Sequence, residues 1–190
     1  MEITALGSLL EARYRHTGPF SRTRSMISDT GSEIREMVVA YVSDGRNFLR
    51  SGDLVNALAS YWYASGWADA GICLGYLSGD PVCPLPCSDP ADATPGQAVF
   101  LGRKTEKYAE LLSRALSLVA IAPEHGTAAW RGADRTLLLV RVYRDYGRVR
   151  HAGGDPAGAL SLFCYGHGWL DAAVRCVLLG VLGSRDLFAL

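Results

Sequence analysis

The chain has 190 residues, 49% of them hydrophobic and 20% charged, and its formal net charge is zero. This profile belongs to a folded globular protein and excludes an intrinsically disordered one. The charge is unevenly spread: residues 1–95 carry 7 Arg and 11 Asp/Glu, a balance of −4, whereas residues 96–190 carry 10 Arg, 2 Lys and 8 Asp/Glu, a balance of +4.

No charged-then-apolar leader opens the chain, so a secretory signal is not expected. The longest uncharged runs, 54–68 and 156–170, are each 15 residues and end at an aspartate. A bilayer needs roughly 20 apolar residues, so both read as buried helices and no membrane partner is expected. The five cysteines are odd in number, and a reducing cytoplasm is the simplest setting for them.

In chain order, the first helix is expected over 3–15. The second runs from about Gly31 to Arg50, with Thr30-x-x-Glu33 as a capping box. At its end Gly52 suits the left-handed conformation that closes a helix, and Asp53 can accept hydrogen bonds from the free amides of the next. The third helix, 54–78, is apolar nearly all round and should lie centrally, with Ala57, Ser60, Ala64, Gly71 and Gly75 allowing close approach. Residues 81–102, holding Pro81, Pro84, Pro86, Pro90 and Pro95, read as a Pro-rich linker.

The pattern then begins again. A helix over 104–121 shows Tyr108, Leu111/Leu112, Ala115 and Leu118/Val119 at helical spacing. The next, about Asp134 to Ala152, has Leu139, Val142/Tyr143, Tyr146 and Val149 as its expected apolar stripe. Gly154-Asp155-Pro156 repeats the turn, with Pro156 at a first helical position that needs no amide hydrogen. The last helix is expected over 156–182.

The second series copies the first at a fixed offset of 102 residues without a gap. Over positions 41–77, 13 of 37 residues are identical to their counterparts, among them Gly45/Gly147, Gly52/Gly154, Asp53/Asp155, Tyr63/Tyr165, Gly66/Gly168, Trp67/Trp169 and Asp69/Asp171. The expected fold is therefore all-α: two three-helix antiparallel units, residues 1–80 and 103–190, from an internal duplication. Their apolar central helices exceed what one unit can cover, so the units should pack as a pseudo-symmetric bundle.

The string Gly52-Asp53-x-x-x-Ala57-Leu58-x-x-x-x-Tyr63-Ala64-x-Gly66-x-x-Asp69-Ala70-x-x-x-Leu74-Gly75 resembles the archaeal family known as domain of unknown function 357. Glu106-Lys107-Tyr108-x-x-Leu111-Leu112-x-x-Ala115-Leu116 resembles that family's first helix. The likeness covers roughly 31–79 and 103–182. It implies a short cytoplasmic helical protein, an archaeal source and no catalytic residues to carry over. Gly-Asp-x-x-x-Ala-Leu also opens the second helix of many tetratricopeptide repeats, but their period of about 34 residues does not fit.

Candidate chemistry is sparse. Tyr63/Tyr165 and Trp67/Trp169 are expected in the core, with an aromatic ligand wall as the alternative. Asp69 and Asp171, acids in otherwise apolar helices, need a donor from the first helix or from the other repeat if they are buried; a ligand role is the alternative. Arg46, on geometry, cannot be that donor within one copy. Arg141, Arg144 and Arg148 form a basic stripe, with Arg131, Arg135 and Arg150 near its ends, that could hold phosphates. Cys83-x-x-x-Cys87 has a zinc-like spacing but lacks a second pair, so no metal is expected. His16, His125, His151 and His167 are scattered, and no catalytic motif or cofactor site is evident. The leading expectation is a non-enzymatic scaffold or protein-interaction module, with an unknown protein or a second copy as partner. RNA binding through the Arg face and small-ligand binding near the aspartates are the alternatives.

Overall fold

The structure, a computed structural model, describes residues 3–20, 25–81, 94–183 and 185–189. It contains α1 (Ile3–Tyr14), α2 (Met26–Arg50), α3 (Leu54–Cys73), α4 (Pro95–Ser117), β1 (Val119–Ile121), α5 (Ala128–Ala152), α6 (Pro156–Arg175) and β2 (Leu179–Val181), then a 3-10 turn over Arg185–Leu187. The fold is all-α apart from one small ladder, and each repeat supplies three helices. No described helix is long and apolar enough to cross a membrane.

The two hairpin turns form as their chemistry requires. Gly52 and Gly154 hold φ of 77° and 81°. Asp53 Oδ1 accepts from Asn56 N at 3.0 Å, and Asp155 Oδ1 accepts from Gly158 N at 2.8 Å. Helix starts differ more from expectation. α2 begins at Met26, because Ser25 and Ser28 form a reciprocal capping box, each side chain accepting from the other's backbone amide. Thr30 and Glu33 consequently lie inside the helix and cap nothing.

α4 begins at Pro95, where Thr94 and Gln97 make a second capping box with proline in the first turn. Residues 95–102, expected as linker, are therefore helical, and Pro95 starts a helix where the sequence reading took it for linker. Residues 82–93, with Cys83 and Cys87, lie outside the described residues. α5 begins at Ala128, capped by Thr127.

The helices also end earlier than expected. α3 stops at Cys73 and α6 at Arg175, each turned by a left-handed residue two positions on, Gly75 (φ 82°) and Val177 (φ 58°). The chain beyond pairs as strand. Ile121 faces Leu179 in the antiparallel β1–β2 ladder, and Pro19 faces Leu77 in a single bridge. Both pairs obey the 102 offset, so this minor element was duplicated too.

α3 and α6 make the most extensive contact in the molecule, and both are buried along most of their length. They cross at the duplicated glycines. A Cβ on Gly66 would stand 2.2 Å from Tyr165 O, and one on Gly168 would stand 2.5 Å from Tyr63 O. Only glycine lets two helix backbones meet there. A second duplicated pair serves packing within each repeat: the Tyr61 ring lies over Gly45 and the Phe163 ring over Gly147.

Candidate functional site

Beside this crossing, the residues singled out from sequence form a reciprocal clasp. Tyr165 Oη donates to Asp69 Oδ2 at 2.8 Å, and Tyr63 Oη donates to Asp171 Oδ2. Each tyrosine thus serves the aspartate of the other repeat. Burial and the facing carboxylate raise both phenols well above their ordinary value, which keeps them protonated as donors.

The remaining partners of the two acids differ. Arg13, from α1, donates to Asp69 Oδ1 at 2.6 Å and also reaches Asp80 O. The expected need for a donor from the first helix or from the other repeat is met from both sources. At the position equivalent to Arg13 the second repeat has Ala115, fully buried, so Asp171 receives no guanidinium from α4. Instead Ala189 N donates to its Oδ2 at 3.3 Å, and His167 Nε2 lies 3.9 Å from its Oδ1 while bonding Leu187 O at 3.0 Å. Asp171 Oδ1 has no hydrogen-bond partner among the described residues. Burial pushes this carboxyl above the usual aspartate value.

The aromatic residues divide accordingly. Trp67, Trp169 and Tyr165 are core, with 0%, 5% and 1% of their surface exposed. Tyr63 is half-buried and borders a cleft of about 430 Å³ between the repeats. Tyr41, Phe48, Tyr108, Lys104 and Asp171 share its lining, and the C-terminal residues 186–189 form one rim. Sequence reasoning missed Arg13, Lys104 and that terminal rim. For Arg13 a signal existed: Arg13 aligns with Ala115 in the same register that places Leu9 and Leu10 on Leu111 and Leu112.

The basic stripe sits on the outer face of α5. Arg141 and Arg148 are exposed, whereas Arg144 is half-buried and pairs with Asp145 at 2.8 Å. Arg148 also donates to Ser113 at 3.0 Å, the place where Arg46 of the first repeat meets Glu11 at 2.7 Å.

The apolar stripe expected on α5 is overturned in part: Leu139 and Tyr143 are half-buried and pack against the core, whereas Val142, Tyr146 and Val149 do not. Ala133, Thr136, Leu137, Val140 and Gly147 face the core, and at Gly147 the Phe163 ring of α6 leaves no space for a side chain. Four larger residues are turned outward: Leu138, Val142, Tyr146 and Val149 are 60%, 57%, 45% and 66% exposed. Their spacing of i, i+4, i+8 and i+11 makes them one continuous face. The first repeat has Glu36, Ala40, Asp44 and Asn47 at the same places.

A family model described as a protein of unknown function, DUF357, matches the chain twice, over residues 7–77 and 107–179. The chain belongs to the DUF357 family. It holds that domain in tandem, and the two matches coincide with the structural repeats. Neither the comparison with curated proteins nor that with solved structures gives a match. In DUF357 terms, the clasp and the glycine crossing join one domain to the next, and the α5 stripe belongs to the second domain alone.

Proposed function

We propose that this tandem DUF357 protein is a non-enzymatic interaction module whose second repeat docks an acidic amphipathic helix on the outer face of α5. The observation that carries this reading is the exposed stripe Leu138–Val142–Tyr146–Val149. Scattered apolar residues on a surface need no explanation, but a periodic row on one helix does. The first repeat supports the same point, since it folds with Glu36, Ala40, Asp44 and Asn47 there and the fold therefore does not require the stripe. Arg135, Arg141 and Arg148 are exposed on the same helix. Their charge favours a partner with acidic flanks, and the apolar row favours one whose buried residues recur at helical spacing. Bare phosphate recognition makes no use of that row.

The test is a displayed library of amphipathic helical peptides, one set with Asp/Glu flanks and one with Lys/Arg flanks. The acidic set is expected to bind, to weaken as salt rises from about 0.05 M to about 0.3 M, and to be lost with Val142→Glu. Equal retention of the basic set overturns the reading. Two further measurements decide against it in favour of another occupant. One is RNA anisotropy at low salt that falls with Arg141→Glu but ignores Val142→Ser. The other is concentration-dependent self-association abolished by Val142→Glu.

A further inference from the structure

We propose that the cleft between the repeats binds a small organic cation with N–H donors and a flat apolar body. This site lies apart from the α5 face and does not depend on its reading. Two independent observations meet here. The first is the wall: Tyr41 and Tyr63 pack edge to face with centroids 4.4 Å apart, and Phe48 and Tyr108 add to the aromatic lining of the open cleft. Its volume of about 430 Å³ lies within the range of small-molecule pockets. Aromatic faces attract cations through their quadrupoles.

The second observation is the unsatisfied acceptor. Asp171 lines the cleft with 1% of its surface exposed. Its Oδ1 lacks a hydrogen-bond partner among the described residues, although Oδ2 is held by Tyr63 and Ala189. A buried acceptor left open carries a desolvation cost that a donor on a ligand would remove. The same aspartate in the first repeat is closed by Arg13, whose guanidinium is itself an organic cation. In the second repeat that guanidinium is absent, and the cleft lies beside the carboxylate that lacks it.

The charge balance agrees. Among the described residues, Asp44, Asp171 and Asp186 line the cleft with one lysine, Lys104, and His167. Lys104 donates to Asn56 and stands 5.1 Å from the Tyr108 ring centroid, so it already occupies one end of the aromatic wall.

Titrating the ¹⁵N-labelled full chain by NMR with phenethylammonium chloride, and separately with sodium phenylacetate, tests the proposal. The two probes share an apolar body and differ in head-group charge. Phenethylammonium is expected to shift the amides of Tyr41, Tyr63, Tyr108 and His167 saturably, and phenylacetate to bind at least about tenfold more weakly. Asp171→Asn should weaken the cation about tenfold or more, as expected for loss of a charged hydrogen bond. Should that variant misfold, Tyr108→Ala removes part of the opposite wall and should weaken binding about threefold. No saturable shift, equal binding of phenylacetate, or a folded variant with unchanged affinity overturns the site. Val142→Glu should leave cation binding unchanged, so failure at one face is distinguishable from failure at the other.

Discussion

The two repeats bring the same tyrosine and the same aspartate to the seam, yet they finish the job with different chemistry. The first closes its carboxylate with a guanidinium from its own leading helix. The second has an alanine in that place and uses a histidine and the returning C-terminal residues, which leaves one oxygen unpaired and a cleft alongside. A second contrast runs in the same direction. Where the outer face of α5 has Leu138, Val142, Tyr146 and Val149, α2 has Glu36, Ala40, Asp44 and Asn47. The glycines, tyrosines and aspartates of the seam stayed the same, whereas the outer stripe and several residues around the second aspartate, Ala115 and His167 among them, diverged. In a duplicated fold, identity at 102-residue spacing therefore marks the frame, and departure from it marks where one half took on something the other lacks.

The largest expected effect tests the shared part of that comparison. Gly66→Ala or Gly168→Ala places a methyl within 2.2 or 2.5 Å of the opposing helix's carbonyl oxygen. Neither helix can yield without unpacking the core, so each change should destabilise by about 3 kcal/mol. Gly132→Ala is the control: it lies in α5 with nothing within 4 Å of the added carbon, and should gain about 0.5–1 kcal/mol from helix propensity. Urea denaturation of the three variants checks the order. Tolerance of alanine at both crossing glycines would mean that the helices do not meet backbone to backbone.

The next effect separates the two aspartates. Asp69→Asn leaves the Arg13 guanidinium, whose side chain is 12% exposed, without its counter-charge, and should cost about 3 kcal/mol. Asp171→Asn keeps an acceptor for Tyr63 and strands no guanidinium, so at neutral pH it should change stability by less than about 1 kcal/mol. The pH dependence sharpens this. Because burial raises the Asp171 carboxyl, the folded chain holds that proton more tightly than the unfolded chain. Its stabilising contribution is complete below the ordinary aspartate value of about 4 and is lost as pH rises through the raised one. Asp171→Asn should therefore gain on the parent protein across that window. Parallel stability curves for the two proteins would show that the acid is not perturbed.

What was legible in the sequence follows the range of the interactions. The Gly-Asp turns could be read because their needs are local: a left-handed residue, then a side-chain acceptor within three positions. The starts of α2 and α4 were missed for different reasons. The Ser25–Ser28 box has no Glu or Gln to announce it, and the proline-rich composition before Thr94 masked a proline that begins a helix. The stripe of α5 was only half legible: Leu139 and Tyr143 do pack on the core, but large apolar residues outrank small ones in any sequence reading, whereas contact with α6 puts Ala133, Val140 and Gly147 inside. At the clasp, the need for a remote donor was readable, but only the mismatch of Arg13 with Ala115 in the 102 register pointed to the donor itself, since 56 residues separate it from Asp69 and no spacing rule links them. The cleft depends on what Ala115 fails to supply together with where the C-terminal residues return, and neither has a local signature.

The smallest predicted effect lies where the repeats share a conformation but not a residue. Both central helices end in the same hydrogen-bonded turn: Tyr76 N bonds Gly71 O at 2.8 Å, and Leu178 N bonds Ala173 O at 3.0 Å. The left-handed residue within that turn is Gly75 in the first repeat and Val177 in the second, at φ 82° and 58°. A β-branched side chain is strained there, by roughly 1–2 kcal/mol. Val177 is 73% exposed, so little packing opposes its removal. Val177→Gly should relieve the strain at some cost in unfolded-chain entropy, for a net gain of about 0.5–1 kcal/mol. Gly75→Val should lose a comparable or larger amount. Thermal melts of the two variants give opposite shifts if the turns are equivalent; shifts of the same sign would mean that the second repeat has found a different way to end its central helix.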